Sequence, residues 1–318
     1  MILYYNMTSV GYVYDELMLL HEGWDQLENP DRIVAVYNEL YNRQYLQKMN
    51  KIESKFITKE ELALAHDPKY ISEIYRIFSL PEKQIRLELS KMNSMFGNKN
   101  SIISAEVAAG STLNLMKAIL NGWVRHGVAI VRSPGHHANA STASGFCFFN
   151  NVAISAKHAI NCGKKIAVVD WDIHEGDGTL DILKHCTNSL FITIQRYDHG
   201  HYYPGTGKSR NTENVLSIPI NKTAYDNDYY NIFDNVVLPR LNEFNPDVIL
   251  VSAGFDAGEG DPLGGFHVTP DGFYNLTKKL LQFKKPIILV LEGGYNLDTI
   301  SQSMAECTRG LLEDCKLI

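Results

Sequence analysis

An α/β fold with a mostly parallel sheet and helices on both faces is predicted by three observations. Short β-branched runs are apolar without alternation, segments of helical period lie between them, and the chemistry-bearing residues fall just after the runs. In order, the runs are "VAIVR" from Val128, "KIAVVDWD" from Lys165, "LFITIQR" from Leu190, "VILVSAG" from Val248 and "PIILVLEGG" from Pro286. Helices are expected over 104–122, 151–161, 228–243 and 269–283, the last with Thr269 as N-cap and Pro270 at its first position. The polar stretch 80–100 reads as a loop. No repeat and no linker divides the chain, so its 318 residues are expected to form a single domain over 1–318.

Composition narrows the function. With 45% apolar and 21% charged residues and no low-complexity tract, the chain is globular. A net charge of −6, without Lys/Arg runs interleaved with aromatics, argues against direct nucleic-acid binding. The start "MILYYNMTSVGYVYDELMLL" lacks a basic segment ahead of an apolar one, and no stretch approaches the length of a membrane span. The five cysteines are odd in number, scattered and never spaced C-x-x-C, which fits a reducing compartment and neither a disulfide framework nor a cysteine zinc site. An intracellular location, cytoplasmic or nuclear, is expected, with neither secretion nor membrane insertion.

Four strand-end segments carry the unusual chemistry: "SPGHHA", "DWDIHEGDGT", "SAGFDAGEGDPLGG" and "EGGYN". Ligands of open α/β sheets bind beyond the carboxyl ends of strands, so these loops are expected on one rim. Three familiar patterns fail there. "GTGKS" lacks the first glycine of a P-loop, where Tyr202 stands; "HEGDG" has Gly178 in place of the second zincin histidine; and "DWDIHEGDGTLD" has Glu175 where a calcium loop turns on glycine.

A mononuclear metal site survives. Asp172 and His174 are two residues apart on what reads as an extended segment, so their side chains leave the same side, and Asp256 at another strand end is the natural third ligand. Three N and O ligands leave a fourth position for water, as in catalytic zinc sites. His136 and His137, in a glycine-flanked turn, suit proton transfer. Asp170 and Asp177 suit the orientation of one histidine each through the far ring nitrogen. Tyr295, after Gly293 and Gly294, could donate to an oxyanion beside the metal. Glu175 should point away from His174 and is expected to be solvated or paired at the surface.

These motifs together resemble the histone deacetylase family, which includes the acetylpolyamine amidohydrolases. The resemblance runs from about Gly11 to the C-terminus, through "GYVYDELMLLHEGWDQLENPDRI", "VRSPGHHANASTASGFCFFNNVA", "VVDWDIHEGDGT", "RYDHGHYYPGTG", "LVSAGFDAGEGDPLGG" and "LEGGYN". The first block and "RYDHG" look most like class II. The resemblance implies an arginase-like fold, one Zn2+ on Asp172, His174 and Asp256, the general acid/base pair His136 and His137, and Tyr295 polarising an acetyl carbonyl. It also implies a structural K+ near Asp170, Asp172, His174 and Thr193. Phe146 and Tyr203 match the aromatics of the family's lysine tunnel, Leu263 a rim position that is glutamate in polyamine-specific relatives, and Gly145 and Gly294 substrate contacts. The implied partners are acetylated lysine side chains of proteins such as histones or tubulin. An acetylpolyamine amidohydrolase with the same chemistry is the alternative, and a silent acetyl-lysine-binding scaffold the non-enzymatic one. Two departures stand out: family members usually have a second histidine where Glu175 stands and phenylalanine where Tyr203 stands.

Overall fold

In the computed structural model, residues 9–23 and 26–318 are described. Residues 1–8, over which the reading against a leader peptide partly runs, lie outside the described residues, as do Trp24 and Asp25 of the first matching block.

Among the described residues, nine strands form one sheet: β1 (Val10–Val13), β2 (Asn50–Lys51), β3 (His126–Ala129), β4 (Ile166–Asp170), β5 (Ser189–Arg196), β6 (Arg210–Asn211), β7 (Val215–Ile220), β8 (Val248–Ala253) and β9 (Ile287–Leu291). Their order is β2-β1-β3-β9-β8-β4-β5-β7-β6. Every pairing is parallel except that of β6 with β7. All residues of β4, β8 and β9 are buried, because helices cover both faces, and this is why their sequences are apolar without alternation. The strands β3, β9, β8 and β4 lie side by side at the centre. Their four carboxyl-end loops, the ones singled out by chemistry, are therefore neighbours.

Five strands coincide with the expected runs, and four were not anticipated. Strands β2 and β6 have two residues each, too few for any period. Strand β1 is a short buried tetrapeptide, and β7 contains Pro219, which ordinarily argues against a strand. The proline is tolerated because β6 pairs only with Leu216 and Ser217, so that side of β7 is open at Pro219.

The expected helices form, with changes. Ser101–Leu120 is buried nearly all round, and a side chain at Gly110 would meet the Lys55 carbonyl oxygen at 2.1 Å, so this helix lies directly against the 55–57 backbone. Asn151–Asn161 and Pro270–Leu281 lie as anticipated, the latter capped by the Thr269 hydroxyl. The segment expected as one helix over 228–243 is instead Asp226–Ile232, a π turn Phe233–Val237 and Leu238–Phe244. The Leu238 N–H bonds five residues back to the Phe233 carbonyl, and this wider turn comes immediately before Pro239, which has no N–H to offer. The stretch 80–100 is not wholly a loop: Glu82–Leu89 is a helix, anchored by buried Ile85 and Leu89 in a second apolar cluster with Phe148 and Phe149. Among the described residues no helix is long and apolar enough to cross a membrane.

Candidate active site

The chain leaves β4 at Asp170 and bends at once, so Asp172 and His174 are not on an extended segment. The bend nevertheless brings them together with Asp256, from the loop after β8. His174 Nδ1 lies 3.0 Å from Asp172 Oδ1 and 3.1 Å from Asp256 Oδ2. One donor atom from each of the three buried residues falls within 4.8 Å of the others. Backbone amides set the carboxylates: Gly293 N–H donates to Asp172 Oδ2 at 2.8 Å and Ile173 N–H to Asp256 Oδ1 at 2.8 Å. A side chain at Gly293 would sit 2.2 Å from Asp256 Oδ2, and one at Gly254 2.0 Å from Asp172 Oδ2, so the two glycines keep the cluster's flanks clear.

The electrostatics are those of a cation site. Burial disfavours both carboxylates, and burial together with the Asp172 charge pushes the Asp256 carboxyl up. Burial alone would depress His174, but its hydrogen bonds to Asp172 and Asp256 outweigh it and raise the imidazole to about 10. Two carboxylate oxygens and a ring nitrogen aimed at one point, nearly dry, fit a divalent ion of the zinc class.

A second group of potential donors, His126, Asp314 and Cys315, does not fit. His126 Nδ1 accepts the Ile287 N–H at 3.1 Å, so Nε2 carries the proton and faces Asp314 Oδ2 at 3.0 Å. No ring lone pair remains for a metal.

The histidine pair stands beside the first cluster, with ring centroids 4.1 Å apart. Each rests on its own carboxylate: His136 Nδ1 lies 3.1 Å from Asp170 Oδ2, and His137 Nδ1 2.7 Å from Asp177 Oδ1. Their protonation diverges. For His136, burial is outweighed by Asp172 and Asp170, which raise it well above the ordinary value. For His137, burial and the neighbouring His136 outweigh Asp177 and lower it to about 4. Burial thus works against the charge on both rings, and the carboxylates outweigh it at His136 alone.

The turn that carries them is fixed by residues whose role sequence reading missed. Glu292 Oε2 accepts the N–H of Gly135 at 2.6 Å and of His136 at 3.1 Å, and burial pushes its carboxyl up to about 7. His66 donates from Nδ1 to the Asn139 carbonyl at 2.9 Å and accepts the Asn150 N–H at Nε2 at 3.0 Å, which requires the neutral ring. Burial lowers His66 from 6.5 to about 4. In the unfolded chain it would protonate first, so this contribution is complete above about pH 6.5 and is lost as pH falls towards 4, on the order of 3 kcal/mol. Urea unfolding across that range should show His66→Gln losing less stability on acidification than the wild type, by up to about one proton's worth of slope. Parallel curves would refute this.

Above the histidines and His174 opens a cavity of about 250 Å³. Phe146 forms one wall. Gly145 and Phe146 are the left-handed central residues of a tight turn closed by Ser144 and Cys147, with φ of 53° and 68°. A bulky residue in that region is strained, and here the strain aims its ring into the cavity. Tyr203 faces it, 5.1 Å from the His137 ring, with its hydroxyl 2.8 Å from Ser144 Oγ. Tyr202, not anticipated, stacks on His174 at 5.1 Å and donates to the Leu263 carbonyl at 2.6 Å. Leu263 is at the rim, 36% exposed.

Tyr295 closes the far side, its phenol raised well above 10 by burial and so kept as a proton donor. Gly294 before it has φ 116°, open only to glycine, and Arg32 holds that peptide by donating from Nε to the Gly294 carbonyl at 2.6 Å. Asp261 accepts the Tyr295 N–H at 2.6 Å and the Leu263 N–H at 2.9 Å, tying the phenol to the rim. An acidic residue amid glycines, as in "GEGDPLGG", was the signal for it. Thr193 lies beside Asp170 in register, and its hydroxyl donates to Gln195 Oε1 at 3.1 Å.

Glu175 departs from expectation. It lies outside the metal donors but is neither solvated nor at the surface: at 1% exposure it accepts from Arg210, Thr206 and Ser217. The 197–210 loop folds over it.

The histone deacetylase domain matches residues 26–311. Histone deacetylase 5 of Arabidopsis thaliana is 39% identical over 96% of this chain and 49% of its own length. The polyamine deacetylase HDAC10 of Homo sapiens is 34% identical over 92% of this chain and 46% of its own length. The crystal structure of the HDA15 HD domain superposes with a TM-score of 0.89 at 36% identity, covering 97% of this chain and 89% of that one. The chain thus spans about half the length of these curated relatives.

Proposed function

Because this chain belongs to the histone deacetylase family, we propose that it is a zinc-dependent amidohydrolase, class II-like, that removes acetyl or another short acyl group from the ε-amine of lysine in proteins. The observation that carries the reading is the pair of adjacent histidines, each on its own carboxylate, beside the Asp172, His174 and Asp256 donors. Zinc held by those three residues would supply a Lewis acid at the cavity floor, polarising the scissile carbonyl and acidifying water.

The chain's own residues do the rest. Phe146 and Tyr203 confine the lysine methylenes and exclude water from the cavity. Asp177 occupies His137 Nδ1, so the neutral ring takes the proton of the attacking water at Nε2. The Tyr295 hydroxyl donates to the carbonyl oxygen as negative charge develops there. A proton returns to the departing amine from His136, which rests on Asp170, from His137, or from both. Asp170, Asp172, His174 and Thr193 would neighbour a structural potassium ion. The scattered cysteines suit an intracellular setting, cytoplasmic or nuclear.

Purified protein assayed against acylated peptides and acetylpolyamines tests the reading. Release of no acyl group from any of them, with zinc bound, would refute it and leave the silent scaffold. Tyr295 speaks against that outcome, since loss of its hydroxyl would be the simplest route to silence. The polyamine alternative draws on the likeness to HDAC10 but meets an apolar Leu263 at the rim. A carboxylate there would attract a distal ammonium and favour polyamines by about 5- to 150-fold. Acetyl-lysine peptides should therefore exceed acetylspermidine in kcat/KM, and Leu263→Glu should shift the ratio towards the polyamine at fixed ionic strength. A wild type preferring acetylspermidine tenfold would reverse the assignment.

A further inference from the structure

Glu175 follows His174 in the chain, and it is the charge least explained by metal or proton chemistry. Its carboxylate is saturated from the neighbouring loop. Arg210 Nη1 donates to Oε1 at 2.5 Å, Thr206 Oγ1 to Oε2 at 2.5 Å and Ser217 Oγ to Oε1 at 3.3 Å. Arg210 also reaches the Thr206 carbonyl through Nη2 at 3.3 Å, and Gln195 Nε2 donates to the Gly207 carbonyl at 2.9 Å and to Ser217 Oγ at 3.1 Å. The base of the 197–210 loop is thereby bonded to β5, to β7 and to the segment that carries His174.

That same loop supplies one wall of the cavity. Tyr203, three residues before Thr206, faces Phe146 across the cavity, and Tyr202 stacks on His174. Yet Thr206, Lys208 and Ser209 are exposed, so packing alone does not hold the loop down. A carboxylate this deeply buried is costly unless its partners stay in place, and here those partners are the loop itself. The family resemblance expects histidine at Glu175, which could not accept from Arg210 and Thr206 in this way.

We propose that Glu175 and Arg210 form a clasp that fixes the Tyr202–Tyr203 wall and so sets which acyl-lysine side chains the cavity admits, making Glu175 a positioning residue. The proposal rests on the deacylase reading for its selectivity arm alone. The clasp itself is a statement about the loop.

The test uses the full chain with zinc and compares Glu175→Gln, Arg210→Met and Thr206→Val with the wild type. Thr206→Val removes one hydroxyl at an exposed position and, with half-exposed Arg210→Met, carries the test if burial at Glu175 makes Glu175→Gln fail to fold. Trypsin cleavage after exposed Lys208, measured without substrate, should quicken by about tenfold as the loop opens locally. On acyl-lysine peptides KM should rise while kcat stays within about threefold. The preference for acetyl over a longer acyl chain should fall by about fivefold, short of the roughly 10- to 200-fold that one methylene contributes in a fitted pocket. Global destabilisation would lower the active fraction, and with it kcat, but leave both KM and that ratio unchanged. Unaltered cleavage in every folded variant overturns the clasp. Faster cleavage with unaltered KM and acyl ratio overturns the positioning role. If the wild type hydrolyses no acyl-lysine, the deacylase reading falls, and the clasp stands or falls on cleavage.

Discussion

Asp256→Asn is expected to leave a folded protein that retains almost no zinc-class metal and loses about 1000-fold or more in kcat. Asparagine keeps the shape and an oxygen for the Ile173 N–H, so the loop after β8 should stand. What disappears is one of two negative charges converging on His174, and a third protein ligand with it. Lewis-acid stabilisation of this kind supplies several kcal/mol of the barrier reduction, which converts to three orders of magnitude or more. Elemental analysis of both proteins, paired with acyl-peptide turnover, decides the matter. Equal metal and equal activity would remove Asp256 from the site. Iron or cobalt in place of zinc would not, because N and O donors discriminate poorly among these ions.

Tyr295→Phe should separate chemistry from binding. The phenol is half-buried and held protonated, while its ring position is fixed independently of the hydroxyl, by the Asp261 bond to its N–H and by the Arg32 guanidinium 5.1 Å from the ring centroid. Deleting only the oxygen leaves that scaffold intact. Loss of one oxyanion donor costs roughly 2.7 to 4 kcal/mol, about 100- to 1000-fold in kcat. KM and metal content should change little. A variant keeping more than half of the wild-type kcat would assign the oxyanion to other groups.

Residues whose chemistry is local were legible in the sequence. Asp172, His174, His136, His137 and Tyr295 each follow an apolar run that can only be a covered strand, and a charge placed there has few inexpensive explanations. The neighbour order of those strands was not legible, because β9 enters between β3 and β8 from the far end of the chain. Residues defined by distant partners were also missed. Glu175 looks solvated until Arg210, 35 residues on, is brought to it by the β6–β7 hairpin, whose two-residue strand has no readable period. Glu292 reads as part of a glycine-rich strand end until the Gly135 and His136 amides arrive from β3. The π turn at Phe233 was hidden because helical period alone does not register one extra residue.

The strand order also makes the site depend on one strand. Strands β4 and β8 pair directly, and the loops that follow them hold all three metal-site donors. The histidine turn hangs from β3, which pairs with neither of them; β9 lies between, and the loop after it carries Tyr295. A chain halted before β9 would own the donors for an ion without the proton-transfer apparatus beside them. Strand β9 is thus the keystone that unites two half-sites, and without it the candidate site would stand divided.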